Sequence, residues 1–151
     1  NAYELGEAEE KKANERADDI LKKRATAARM ERNKIILDAK RKAVDRVYDL
    51  LLDGLKKLSE DEFVNLVSIA VEKYGEDGQK ILLSASAPAK KEKIESLAAV
   101  KNKSMIVETA DGLRDGFAIS GEIFDRDFSY ASIVESCRER TENEVAARLL
   151  R

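Results

Sequence analysis

Four aspartates near the end of the chain are the best candidates for a reactive or metal-binding group. Asp111 and Asp115 each precede a glycine, and Asp125 and Asp127 flank Arg126. Carboxylates at such spacing could bind Ca²⁺, but the glycine and the distal glutamate of an EF-hand loop are missing here. Because Asp-Gly is a common turn dipeptide, the pattern favours turn-forming aspartates over a metal site.

The composition excludes most other catalytic chemistry. The chain contains no histidine, so a Ser-His-Asp triad, histidine acid–base catalysis and histidine-bound metals are impossible. The single cysteine, Cys137, lies on the apolar stripe of a predicted helix and is expected to be a small buried hydrophobe, not a nucleophile. No phosphate-binding glycine motif occurs. We therefore expect no catalytic residue, no cofactor and no metal, and a small enzyme is the least favoured function.

The segment that must position these residues, 58–151, has the pattern of a small α+β domain. Ser59 and Glu62 form a capping box that begins a helix, and Gly75 ends it. Ser129 is the predicted N-cap of the last helix. The helix that Ser59 begins has an apolar stripe of Phe63, Val67, Ala70 and Tyr74. The last helix of the chain has one of Ile133, Cys137, Thr141, Val145 and Leu149.

Between these two helices the sequence predicts a mixture of strands and one short helix. A buried strand is expected over 79–84 and a second strand over 104–109, with a short helix that begins near Pro88 between them. Residues 117–120 and 122–124 flank Gly121 and predict a tight hairpin. The predicted order from residue 59 is helix, strand, helix, strand, strand, strand, helix.

Residues 1–57 are predicted to form one long stalk helix. From about residue 4 to residue 53 the only glycine is Gly6 and proline is absent, while Ala, Glu, Lys, Arg and Leu dominate. Such a helix is roughly 75 Å long at about 1.5 Å per residue. That length exceeds what a small domain can cover, so the helix needs a partner along its length.

The apolar residues of this helix recur at intervals of eleven. One row contains Ala17, Ala28 and Ala39, and three such rows lie within about 80° of one another on a helical wheel. An eleven-residue repeat implies a straight or right-handed supercoil. Arg32 interrupts the third row. The residues expected to contact a partner helix, which we call the predicted seam, are Ala17, Leu21, Ala25, Ala28, Ile36, Ala39, Ala43 and Val47.

Charge is unevenly distributed along the chain. Residues 1–19 carry seven acids and three bases (net −4), residues 22–46 carry ten bases and three acids (net +7), and 59–151 carry eighteen acids and thirteen bases (net −5). A basic helix is one signature of nucleic-acid binding. Aromatic residues are not interleaved with these bases, however, and acids interrupt them, so a solvated helix face is favoured and no nucleic acid is expected.

The sequence also predicts the cellular location of the protein. No apolar run approaches the roughly 18 residues that a membrane-spanning helix needs, and no basic-then-apolar signal segment opens the chain. A single cysteine suits a reducing compartment. We expect a cytoplasmic chain with no direct membrane insertion.

Several stretches resemble the E-type subunit family of the vacuolar- and archaeal-type (V/A-type) rotary ATPases. Residues 30–40 are similar to the family segment where the stalk helix approaches the globular domain. Residues 116–120, 128–130 and 142–146 are similar to its C-terminal hairpin and last helix. The order and spacing of these stretches, after a long alanine-seamed helix, carry the resemblance. Because the family helix begins with a further long stretch, the resemblance also implies an N-terminally shortened chain.

The resemblance implies a non-catalytic component of the peripheral stalk, or stator, of a proton- or sodium-translocating V-type ATPase or A-type ATP synthase. The long helix would form a coiled coil with the helical stalk protein of the G/H type, which we call the G/H-type subunit. The C-terminal domain would bind the catalytic head, whose other subunits hold the ATP sites. The chain would then sit on the cytoplasmic, peripheral face of a membrane-bound complex.

Two other classes of function remain open. One is a protein that binds nucleic acid or ribosomes through the basic segment 22–46. The other is a homodimeric coiled-coil protein with an α+β head, similar to a chaperone or cofactor. In isolation the chain could also pair with itself through the predicted seam. All these hypotheses share one fold class, α+β, with a long N-terminal helix of the right-handed coiled-coil type followed by a small head.

Overall fold

The computed structural model describes residues 1–149 and confirms the predicted fold class. A long N-terminal helix is followed by a small α+β head with a four-stranded sheet. The elements are α1 (Ala2–Lys56), α2 (Glu60–Tyr74), β1 (Lys80–Ser84), α3 (Lys91–Glu95), α4 (Ala98–Asn102), β2 (Ile106–Ala110), β3 (Phe117–Ser120), β4 (Asp125–Phe128) and α5 (Tyr130–Leu149).

Contacts between residues divide the described chain into two compact units. The first is Asn1–Ala43, in which every residue is exposed, and the second is Val44–Leu149. The last turns of α1 belong to the second unit, because Val44, Tyr48 and Leu55 are buried there. The predicted division into a stalk helix over 1–57 and a domain over 58–151 remains a prediction.

The sheet of the second unit is mixed, with the strand order β2-β1-β3-β4. β1 pairs in parallel with β2 and antiparallel with β3, and β3 and β4 form a hairpin. The parallel pair needs a crossover connection, which α3 and α4 provide. The largest fully buried side chains are Phe63, Phe117, Ile81, Leu83, Ile94, Ile119, Val67, Val71, Val100 and Val107.

Helix α2 begins as the sequence predicts. The Glu62 amide donates to the Ser59 hydroxyl at 3.2 Å, and the Ser59 amide donates to the Glu62 carboxylate at 3.2 Å. This reciprocal pair is a capping box, which satisfies two of the amides that a helix N-terminus leaves free. The Gly75 amide donates to the Val71 carbonyl at 2.9 Å and ends the helix.

The C-terminus of α2 has a second cap that the sequence did not reveal. The Lys103 ammonium donates to the carbonyls of Gly75 at 2.7 Å, Val71 at 2.8 Å and Glu72 at 3.2 Å. A cation here supplies donors to carbonyls at the end of the helix, of which that of Val71 also accepts from the Gly75 amide, and complements the negative end of the helix dipole. Because Lys103 follows α4 and is distant from α2 in sequence, the sequence of α2 does not predict this cap.

We expect Lys103→Met to lower the free energy of unfolding by about 1–3 kcal/mol, because the substitution leaves several partly buried carbonyls without a charged donor. Urea unfolding followed by tyrosine fluorescence measures the change. Lys101→Met is the matched control, since Lys101 lies at the same end of α4 with an exposed side chain. An equal loss in both variants would show that the three carbonyl contacts do not stabilise α2.

The predicted hairpin was right in position but wrong in its second strand. β4 is Asp125–Phe128, not residues 122–124, so the loop is the four residues 121–124. The Gly121 amide donates to the Phe124 carbonyl at 3.2 Å, and Ser120 pairs with Asp125 at the end of the ladder. A single residue cannot reverse the chain between two paired strands, since the shortest common hairpin loops contain two.

The prediction of one short helix beginning near Pro88 was also wrong. Pro88 lies in a bend, and two separate helices follow, α3 and α4. Leu97 separates them because its backbone is extended, with φ −66° and ψ 136°. The Ser96 hydroxyl donates to the Lys93 carbonyl at 2.7 Å and helps to end α3. The strands predicted over 79–84 and 104–109 are present, with shifted bounds.

Helix α5 begins after Ser129 as predicted, with the Ser132 amide 3.4 Å from the Ser129 hydroxyl. The stripe predicted on α5 is only partly sequestered: the first four members are half-buried and Leu149 is exposed. Cys137 was expected to be buried and is half-buried instead. Only one side of α5 meets the last turns of α1, where the hydroxyls of Tyr48 and Thr141 are 2.8 Å apart.

Candidate functional site

Three of the four aspartates that suggested a metal site make separate hydrogen bonds in the structure. Asp115 accepts from the Tyr130 amide at 2.9 Å, and Asp127 accepts from the Ser129 amide at 2.8 Å. Asp125 accepts from the Ser120 hydroxyl at 2.7 Å. Over residues 1–149, no group of three or more His, Cys, Asp or Glu side chains could hold a metal ion. Three of these carboxylates therefore serve the hairpin and the start of α5.

The pKa of Asp127 lies below its ordinary value. The chief cause is the hydrogen bond from the Ser129 amide, with further help from the hydroxyls of Ser132 and Ser129, while partial burial opposes the shift. The Ser132 hydroxyl donates to the other carboxylate oxygen at 2.8 Å. Because these donors favour the ionised form, the charge of Asp127 stabilises the native state.

The free energy of unfolding should therefore decrease as the pH is lowered, and part of this decrease should come from protonation of Asp127. Its ionised form stabilises the fold above the ordinary value of 3.8, and that contribution is lost as the pH falls through the lower native pKa. We expect Asp127→Asn to lower the melting temperature at pH 7, and the difference from wild type to shrink as the pH falls below about 4.

Melting temperatures from pH 7 to pH 2.5 test this expectation. Asp111→Asn is the control for removing a turn carboxylate, since the side chain of Asp111 makes no hydrogen bond with any described residue. A constant difference between Asp127→Asn and wild type across that range would show that the ionised carboxylate contributes nothing.

The predicted seam on α1 carries the strongest functional signal of the first unit. Its members in that unit are all exposed, including Leu21 at 63% and Ile36 at 45%. Val47, which belongs to the second unit, is half-buried. Long helices in proteins gain most of their stability from packing of an apolar face, and within the described residues nothing covers this one.

Basic side chains border the predicted seam on both edges. At about 100° per residue, Lys22, Arg29 and Lys40 fall on one edge, while Arg24 and Lys42 fall on the other. Arg32, at the centre, is also exposed. Among the ion pairs that the described residues form, none includes these six side chains. The seam therefore presents apolar residues between two edges that carry basic side chains, although Asp18 falls within the apolar arc and Glu31 lies beside one edge.

In the second unit, Arg138 fixes α5 to the last turns of α1. Its guanidinium donates to Asp45 at 2.6 Å and to Glu142 at 3.1 Å, and lies 5.1 Å from the centre of the Tyr48 ring. Thr141 bonds the hydroxyl of the same tyrosine. Arg138 and Asp45 are separated by many residues along the chain, so no sequence motif predicted their contact.

The loop between β3 and β4, residues 121–124, is a second surface that the sequence did not indicate. We call it the hairpin tip. Ile123 is 93% exposed and its neighbour Phe124 is 55% exposed. The Arg126 guanidinium lies 5.5 Å from the centre of the Phe124 ring and 4.6 Å from that of Tyr74. The tip thus combines two adjacent apolar side chains with a cation–π contact.

Comparison of the chain with protein-family models, with curated proteins and with solved structures gave no match. Over residues 1–149, no helix has both the length and the apolar character needed to cross a membrane.

Proposed function

We propose that this chain is a non-catalytic peripheral-stalk component of a V/A-type rotary ATPase, equivalent to the E-type subunit. In this role α1 pairs with the helical G/H-type subunit, and the second unit binds the catalytic head. The observation that carries the proposal is the exposed, eleven-residue apolar repeat on α1, in which Leu21 and Ile36 have no partner among the described residues.

The composition of the predicted seam suits a long two-helix stalk. Alanines such as Ala17, Ala28 and Ala39 let two helices approach closely but bury little apolar area per turn. At about 25 cal/mol per Å² of apolar surface removed from water, such a seam is weak over one turn and needs many turns to hold. A coiled coil of this kind resists extension along its axis, which suits a stator that keeps the head from turning with the rotor.

The basic edges of the seam define the chemistry of the partner helix. Charged residues that flank a coiled-coil seam select partner and register, so the helix opposite 22–42 should carry Glu and Asp at its edges. Arg32, within the seam, calls for a carboxylate opposite it, because an unpaired charge in a helix interface is costly. A partner with these features would bind more weakly as salt increases.

The second unit holds the last turns of α1 by packing and by an ion pair. Val44, Tyr48 and Leu55 are buried in that unit, and Arg138 bonds Asp45 from α5. A load applied to these turns would therefore be carried by the core and by α5. We place the chain on the cytoplasmic face of the complex as a peripheral component, with the ATP sites in other subunits.

Light scattering on the chain alone, and then mixed with a purified G/H-type subunit from a related enzyme, tests the proposal. We expect a stable 1:1 complex whose helicity by circular dichroism exceeds the sum of the two components. A tight homodimer indifferent to the G/H-type subunit would favour the chaperone-like class instead.

A separate titration addresses the nucleic-acid class, which the net charge of +7 over 22–46 keeps open. Binding of the chain to duplex DNA or RNA should be weak at physiological salt. Tight binding that falls steeply with salt, as counterion release requires, together with no complex with the G/H-type subunit, would replace the stator proposal.

A further inference from the structure

We infer that the hairpin tip is the point at which the second unit docks on the catalytic head, and that the head offers it an apolar pocket bordered by Lys or Arg. The inference rests on the proposed function and assigns it a surface. It is carried by three features of the tip: its exposed apolar side chains, the way they are held, and the charge around them.

The apolar exposure at the tip is concentrated in two consecutive residues. Ile123 is 93% exposed and Phe124 is 55% exposed. The other large apolar side chains exposed on the second unit, such as Ile69 with 54% and Ile106 with 53%, lie on different elements. Isolated apolar residues are normal on a protein surface, whereas large contiguous apolar patches mark interaction sites. A tip that carries Ile and Phe side by side fits a concave partner.

The Phe124 ring is connected to the core through Arg126. Arg126 contacts the rings of both Phe124 and Tyr74, 5.5 Å and 4.6 Å from their centres. Tyr74 in turn packs on Phe128, with ring centres 5.8 Å apart, and Phe128 stacks on the buried Phe117 at 4.8 Å. The aromatic residue at the surface is thus linked to the core through a series of ring contacts.

The backbone of the tip is also constrained. The Gly121 amide donates to the Phe124 carbonyl at 3.2 Å, and the Ser120 hydroxyl donates to the Asp125 carboxylate at 2.7 Å. Binding surfaces that are ordered before contact lose less entropy on association. Aromatic anchors held in this way are typical of the residues that dominate interface energies.

The charge around the tip selects a basic partner. A cleft of about 690 Å³ beside the tip is lined by residues from 76–80 and 120–124, including Glu76, Asp77 and Glu122. The one lysine in this lining, Lys80, is paired with Glu108 at 3.5 Å. Arg126, beside the Phe124 ring, is a second cation at the tip, and the three carboxylates of the lining outnumber these two cations. Complementary potentials across an interface direct encounter and exclude wrong partners. The occupant should therefore present lysine or arginine around its apolar pocket.

The test compares Ile123→Asp with Ile69→Asp in complex with the G/H-type subunit. Both variants place the same charge at an exposed isoleucine of the second unit. The affinity of each complex for the purified catalytic head is measured by biolayer interferometry. Urea unfolding followed by tyrosine fluorescence, which reports mainly on the second unit, serves as the check on folding. We expect Ile123→Asp to weaken head binding at least tenfold, and Ile69→Asp to change it less than twofold. Glu122→Lys should also weaken it.

The outcomes separate this inference from the proposed function. If wild type pairs with the G/H-type subunit and binds the head, but Ile123→Asp binds equally well, the tip is not the docking point. Equal weakening by Ile69→Asp would overturn the assignment too, since the effect would not be specific to the tip. If wild type neither pairs with the G/H-type subunit nor binds the head, both the proposed function and the tip assignment are wrong.

Discussion

Replacing Ala28 or Ala39 with glutamate should abolish the proposed pairing of α1 with the G/H-type subunit and leave the second unit folded. Both alanines are exposed in the structure and lie in the same row of the predicted seam. A glutamate there would separate two closely approaching helices and bring a carboxylate into the interface opposite a partner expected to be acidic. Burying an unpaired charge costs several kcal/mol, roughly 3–5 in measured cases, which is large beside a seam built from alanine.

Size-exclusion chromatography with light scattering, after mixing each variant with the G/H-type subunit, measures the pairing. Ala27→Glu is the matched control, because Ala27 is also exposed but lies on the other side of the helix, about 100° from its neighbour Ala28. The control should pair as wild type does. Heterodimers that survive both seam substitutions would show that the contact face of α1 has been assigned wrongly.

The second unit serves as the internal reference in this experiment. Tyr48, Tyr74 and Tyr130 lie in it, whereas Tyr3 lies in the first unit, and the chain contains no tryptophan. Tyrosine fluorescence therefore reports mainly on the second unit during urea unfolding. Its midpoint should be the same in wild type and in the seam variants, since Ala28 and Ala39 both belong to the first unit. A shifted midpoint would mean that the substitution also perturbs the second unit.

Features of the fold that depend on neighbouring residues could be predicted from the sequence. The capping box of Ser59 and Glu62 brings its two residues within one turn, so its spacing alone identifies it. The absence of proline and the scarcity of glycine predicted α1 for the same local reason. β1 and β2 also lie where their apolar runs predicted strands, with bounds shifted by one or two residues.

Features that depend on distant residues could not be predicted in this way. Lys103 caps α2 from beyond α4, and Arg138 meets Asp45 from the other end of the chain. Arg126 gave no local signal either, because its contact with Tyr74 depends on how the hairpin packs on α2. The loop of the hairpin was misjudged since Ile123 and Phe124 are apolar enough for a strand yet are exposed.

The predicted seam differs from both groups because its other half is expected to belong to another chain. Its alanines require the two helices to lie close together if they are to make contact, and its basic edges favour a partner with acidic side chains. Neither property requires a contact within this chain. The exposure of Leu21 and Ile36 in the structure is what such a surface requires before its partner binds.

Gly116→Ala should destabilise the second unit more than any exposed substitution considered above. Gly116 has φ +67°, a conformation that L side chains rarely adopt, and a Cβ there would lie 2.3 Å from the Phe128 carbonyl oxygen and 3.1 Å from the Ser129 Cα. Both neighbours are backbone atoms held by structure, since Phe128 pairs with Phe117 in the sheet and Ser129 precedes α5. Backbone strain of about 1–3 kcal/mol adds to an overpacking cost of about 1–3 kcal/mol.

We therefore expect Gly116→Ala to lower the free energy of unfolding by about 3 kcal/mol or more, a large part of the stability of a small domain. Gly112→Ala is the control, because a Cβ at Gly112 would meet nothing within 4 Å, and it should change stability by less than about 0.5 kcal/mol. Urea unfolding followed by tyrosine fluorescence compares the two. A loss as small as that of the control would mean that β3 and the start of α5 can separate at little cost. The close approach at Gly116 would then not be what fixes the hairpin against α5.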